Sequence, residues 1–111
     1  MKLDELKAKM DRVAVALGRM PGSTFQFESR PFGNGWAVFI LGDFDTRWLE
    51  KCVHGDSEFD ACDRAWQRVL YAIGDERANA RKALTEVEGA LRRKQLAFDR
   101  ICAVAEEAMG A

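Results

Sequence analysis

Apolar residues recur at alternating spacings of three and four through Leu3, Leu6, Met10, Val13, Leu17 and Met20, with Lys2, Lys7, Lys9 and Arg12 off that stripe. This is one face of an amphipathic helix, predicted over residues 1–20. Gly18 and then Pro21-Gly22 stop it, the proline because it cannot continue the hydrogen-bond ladder. The period then changes to two. From Thr24 to Arg30, Phe25, Phe27 and Ser29 share one face, while Thr24, Gln26, Glu28 and Arg30 share the other. That alternation predicts a half-buried strand. Asn34-Gly35 tolerates positive φ angles and predicts a type I′ hairpin turn. Trp36 to Leu41 is apolar on both faces, as suits a strand with cover on both sides. Gly42-Asp43-Phe44-Asp45 makes a second turn, and Thr46 to Val53 a third strand. The meander is expected over 24–54, with the Trp36 strand at its centre.

Helical periodicity returns at Ser57. Its hydroxyl can cap the first turn, Asp60 holds the capping-box position, and Glu58 and Asp60 favour the positive end of the helix dipole. Ala61, Ala65, Trp66, Val69, Leu70 and Ile73 provide the buried face of a helix over 57–73. Gly74-Asp75 reads as a stop followed by a fresh N-cap, or as a kink in one continuous helix. A long helix then occupies 75–109, interrupted in composition only by Gly89. Leu84, Val87, Leu91, Phe98, Ile101, Ala105 and Ala108 keep a heptad-like register broken by Lys94. Ala83, Ala90, Ala97 and Val104 widen that stripe beyond a narrow two-stranded seam. A helix with this much apolar flank needs a partner. A coiled-coil homodimer through Leu84, Val87, Leu91, Phe98, Ile101 and Ala105 is expected, with the Leu3–Leu17 stripe as a second contributor.

The fold class is therefore α+β, as one domain over 1–111. A length of 111 residues supports one core, and 48% hydrophobic with 32% charged residues is ordinary for a folded protein. Net charge is -1, without the basic excess of a dedicated nucleic-acid binder. The uncharged run that includes Gly33 to Gly42 falls far short of the roughly 20 apolar residues of a membrane span. Met1-Lys2-Leu3-Asp4-Glu5 places acid where a secretory signal needs a basic and then apolar run, so a cytoplasmic location is expected. Cys52, Cys62 and Cys102 cannot all pair within one chain, and in a reducing compartment each serves as a small apolar residue.

Candidate chemistry is sparse. Cys52 and His54 share a strand face and Cys62 follows in the next helix, but structural zinc wants four soft ligands in close pairs, so no metal is expected. As a nucleophilic pair, Cys52 and His54 sit among Glu50, Asp56, Glu58, Asp60 and Asp63, acids that oppose thiolate formation. Asp43 with Asp45, and Asp60 with Asp63, are explained as turn and helix-start acids rather than as acid/base pairs. Gly33-Asn34-Gly35 leads into a strand, not a helix, and so lacks the context of a phosphate cradle. No cofactor and no catalytic residues are expected. Arg77, Arg81, Lys82, Arg92, Arg93, Lys94 and Arg100 line the closing helix, but interleaved acids make a solvated, salt-bridged face, with Glu88 and Arg92 at the favourable spacing. Ala37, Phe39 and Leu41 form an exposed patch, or lie under the long helix, if the helices pack on one side of the sheet.

The α-β-β-β-α order over roughly residues 3–73 is similar to the double-stranded-RNA-binding domain. Gly55-Asp56-Ser57-Glu58-Phe59-Asp60-Ala61-Cys62-Asp63-Arg64-Ala65 resembles that family's glycine-rich approach to its final helix. Where the family carries lysines for phosphates, this chain has Glu58, Asp60 and Asp63, acids that repel RNA. The likeness implies the topology without the RNA binding. Being small, near-neutral and motif-poor, the chain also resembles phage and mobile-element accessory proteins, among them inhibitors of bacterial defence nucleases such as CRISPR effectors.

These readings converge on a non-enzymatic protein-interaction module that inhibits a nucleic-acid-handling complex. The expected contact surface is an acidic rim of Asp43, Asp45, Asp56, Glu58, Asp60 and Asp63 with Phe44 and Phe59, suited to a partner whose own surface is basic. The competing expectation is a small nucleic-acid-binding protein that uses the basic residues of the closing helix.

Overall fold

The computed structural model describes residues 1–110. Five elements follow in order: α1 (Leu3–Ala16), β1 (Phe25–Phe32), β2 (Gly35–Asp43), β3 (Trp48–Gly55) and α2 (Glu58–Gly110). The strands form one antiparallel sheet, β1-β2-β3. The α+β class and the α-β-β-β-α order hold, with β2 central.

Helix α1 is shorter than its periodicity implies. The Gly18 amide donates to Val15 and the Arg19 amide to Ala14, at 2.9 and 3.0 Å, while Gly18 takes φ 77°. This is a Schellman ending, in which glycine supplies the left-handed residue and the last carbonyls find donors. Met20 therefore lies beyond the helix and is exposed. The first hairpin also differs by one residue from the expected turn. Phe32 pairs with Gly35, so the central residues are Gly33-Asn34. Only Gly33, at φ 59°, has a positive φ, which makes the turn type II′ with glycine first. β1 continues through Pro31, which an edge strand tolerates because its outer side needs no donor.

The core lies on one face of the sheet. Phe25, Val38, Ile40, Leu49 and Val53 meet Leu6, Met10 and Ala14 of α1 and Ala61, Cys62, Ala65, Val69 and Ala72 of α2. Alternation along each strand sends these sheet residues to the same side. The α1 stripe, expected as a second contributor to self-association, is thus packed into the chain's own core. Gly42 has no side chain for a packing reason: a Cβ there would lie 1.8 Å from the Phe25 ring. On the opposite face, Phe39 and Leu41 are half-buried and Ala37 is fully buried. The Arg30 guanidinium sits 4.6 Å above the Phe39 ring, and the Phe32 and His54 rings meet at 5.0 Å. The Arg30 side chain thus covers Phe39 on a face expected to be an exposed apolar patch or to lie under the long helix.

Helix α2 begins as expected. Ser57 Oγ accepts the Asp60 amide at 3.1 Å, and Asp60 Oδ2 accepts the Asp56 amide at 2.9 Å. The helices expected over 57–73 and 75–109 are a single element, however. Gly74 costs a helix about 1 kcal/mol relative to alanine but keeps its amide donor, so it weakens without breaking. Asp75 does not cap a new helix; it pairs with Arg47 at 3.4 Å, and Glu76 accepts the Thr46 amide at 2.8 Å. By internal contacts the chain forms two compact units, Met1–Arg77 and the segment from Ala78. No helix among the described residues is long and apolar enough to cross a membrane.

Candidate interaction surfaces

The acidic residues expected to form one rim fall into two groups at opposite ends of β3. Asp43 and Asp45 flank the β2–β3 loop, where Asp43 pairs with Trp48; Gly55, at the other end of the strand, pairs with Trp36. Seven residue steps of strand separate the ends by about 23 Å. Asp56, Glu58, Phe59, Asp60 and Asp63 gather at the start of α2.

Several of these acids already serve the fold. Asp45 pairs with Arg19 at 2.8 Å, and Arg19 also donates to the Asp43 carbonyl. Asp63 meets the Met1 amino group. Asp60 joins the Asp56 amide and the Arg64 guanidinium, and these donors hold its carboxyl below the usual value. Asp56, Glu58 and Asp63 remain at least partly exposed, beside a Phe59 that is 54% exposed. Phe44 is a correction. It is 2% exposed and packs edge-on against Phe25 at 5.3 Å, so it anchors the loop from within and offers nothing to a partner.

The segment from Ala78 provides the second surface. Leu84 is 58% exposed, Leu91 65% and Ile101 68%, and Val87, Phe98, Val104 and Met109 are also more than half exposed. Ala105 is likewise exposed, so every residue expected at a dimer interface lies on free surface. Two rows run along this face at sevenfold spacing: Leu84, Leu91, Phe98 and Ala105, and Val87, Lys94, Ile101 and Ala108. On a helix these rows lie side by side, forming a continuous strip. The expected ion-paired polar face is not formed. Among the described residues no ion pair lies within 78–110, and Glu88 and Arg92 instead flank Leu91 and Leu96 around a shallow depression.

Cys52 Sγ and His54 Nε2 lie 3.6 Å apart on the outer sheet face, while Cys62 faces the core. Burial pushes the Cys62 thiol pKa up, with Glu58 adding to it. Among the described residues, no three histidine, cysteine or carboxylate side chains converge as a metal site would require. One groove was missed by the sequence reading. Cys52 and His54 of β3 line it together with Arg64, Gln67, Arg68 and Tyr71 of α2. The spacing of Arg64, Arg68 and Tyr71, four and then three residues, was the available signal that these side chains share a helix flank. Compared with known proteins, the chain matches no family model, no curated protein and no solved structure.

Proposed function

We infer that the protein is a non-enzymatic interaction module that self-associates through the apolar strip of residues 78–110. The supporting observation is the exposure of Leu84, Val87, Leu91, Phe98 and Ile101 in two adjacent rows. Contiguous apolar strips of this kind mark contact sites, because leaving them in water forfeits the burial free energy. A net charge of -1 opposes association only weakly. Light scattering should give a mass near twice 12.5 kDa. The double variant Val87→Glu, Ile101→Glu should restore the monomer mass while leaving tryptophan fluorescence unchanged, since Trp36, Trp48 and Trp66 all lie before Ala78. A wild-type monomer at high concentration would remove the self-association reading.

The finer reading is a phage-type or mobile-element accessory protein that acts in a host cytoplasm by blocking a nucleic-acid-handling defence complex. Exposed acids at the start of α2 support it, because acidic surfaces suit partners whose own sites are basic. Reversing Asp56, Glu58 and Asp63 to lysine, with the capping Asp60 kept, should weaken binding to a purified complex of that kind at least tenfold. Unchanged binding would exclude these acids as the contact.

The alternative is direct nucleic-acid binding. It is favoured by one observation: the stretch 78–94 carries five basic residues against two acidic ones. A mobility shift that weakens steeply with salt would support it, and no shift at low salt would end it.

A further inference from the structure

Building on the self-association reading, we propose that residues 78–110 pair antiparallel with a second copy, Lys94 of each chain resting on the partner's Phe98. The strip is asymmetric along its length, and the asymmetry selects the direction. Its first two positions, Leu84 and Val87, are large, and its last two, Ala105 and Ala108, are small. In a parallel, in-register pair like meets like. Alanine layers then face alanine layers and leave thin, underfilled contacts. Lys94, set within the second row, faces the partner's Lys94 across the seam, where two ammonium groups repel each other as water is excluded.

Reversing one helix resolves both problems at once. When the two ends of the strip are aligned, Leu84 lies opposite the partner's Ala108 and Val87 opposite the partner's Ala105. Leu91 then meets the partner's Ile101. Lys94 meets the partner's Phe98, an aromatic face that attracts an ammonium group. At the two ends large residues meet small ones, and the one charge in the seam gains a favourable neighbour.

The polar residues select the same direction. From Ala78 to Lys94, five basic and two acidic residues leave +3; from Gln95 to Gly110, one basic and three acidic residues leave −2. A parallel pair stacks the positive half on the positive half. An antiparallel pair crosses opposite signs and brings Arg93 level with the partner's Asp99. Complementary charge across an interface selects orientation more than it adds raw affinity. The helix dipoles are also opposed rather than aligned.

Spin-label distances test the direction. In a C52S/C102S background, with Cys62 sealed in the core, nitroxides are placed singly at Lys82→Cys and Leu96→Cys. Both sites lie outside the two seam rows. In the antiparallel pair the 96 labels lie level with each other, while the 82 labels are offset by about 42 Å along the axis. The expected result is a distance at 82 far longer than at 96. Equal, short distances at both sites would overturn the antiparallel arrangement and leave the self-association reading standing. A lack of intermolecular coupling at both sites, with a monomer mass, would overturn both.

Discussion

One helix, α2, carries two stretches that treat the same amphipathic pattern differently. In Met1–Arg77, Ala61, Ala65, Val69 and Ala72 repeat at helical spacing and are buried by the sheet and α1. In 78–110, Leu84, Val87, Leu91, Phe98 and Ile101 repeat as regularly and stay exposed. The buried stretch is built mostly from small residues, which let the helix lie close against the sheet. Gly55 shows how close, since a Cβ there would meet the Ala61 amide nitrogen at 2.4 Å. The exposed stretch carries large side chains. Periodicity reports that a face is apolar, and residue size hints at what covers it. Small residues let backbones approach within one chain, whereas the large ones of 78–110 stay exposed on it.

The widest expected difference between the two stretches is in core truncation. Ile40→Ala removes a fully buried side chain from the centre of the sheet and should cost about 2–5 kcal/mol, a large share of a small domain's stability. Leu91→Ala, applied to a side chain 65% exposed in the single chain, should leave the tryptophan-monitored denaturation of Met1–Arg77 within about 0.5 kcal/mol while weakening association. If Leu91→Ala lowered that transition as much as Ile40→Ala does, the contrast between the stretches would fail.

Most of the architecture was legible because it rests on period. The change from a spacing of three and four to a spacing of two marked α1 and the sheet, and Ser57 with Asp60 marked the start of α2. What could not be read depended on single residues whose local chemistry allowed two outcomes. Gly33-Asn34 and Asn34-Gly35 both suit a two-residue turn, and strand pairing chose the former, moving the turn by one position. Phe44 stands between two aspartates in a loop and looks exposed, but the loop folds its ring inward onto Phe25. The division of the acidic rim was legible after all, since the residues from Trp48 to Gly55 had to separate its halves. The outer-face screen of Arg30 over Phe39 was not, because it depends on the rotamer of a long side chain.

A smaller effect concerns the helix start. The Asp60 carboxyl is held below its ordinary value by the Asp56 amide and then Arg64. A depressed folded value stabilises the protein above the unfolded pKa, and that contribution is lost as pH falls through the folded one. Wild type should therefore exceed Asp60→Asn in denaturation midpoint at pH 7, and the two should converge below the ordinary carboxylate range. A constant gap down to low pH would show that Asp60 acts by neutral hydrogen bonding alone. Ser57→Ala, which removes the other half of the cap, should cost about 1 kcal/mol without that pH dependence.

The finest test addresses the junction of the two stretches. Gly74 has a negative, helical φ, and a Cβ built there meets nothing within 4 Å. In a continuous helix, alanine at this site removes unfolded-state freedom without a steric penalty. Gly74→Ala should therefore raise stability by about 0.5–1 kcal/mol, with a small gain in helical circular dichroism. A position that must bend as the protein works behaves the opposite way, since alanine stiffens it. Loss of stability, or stability gained together with loss of partner binding, would make Gly74 a hinge. That result would change the account of α2, because the buried and exposed stretches would then be two helices meeting at a joint. If instead stability rises and binding is unchanged, the contrast between the stretches owes nothing to a break in the backbone and lies in their side chains alone.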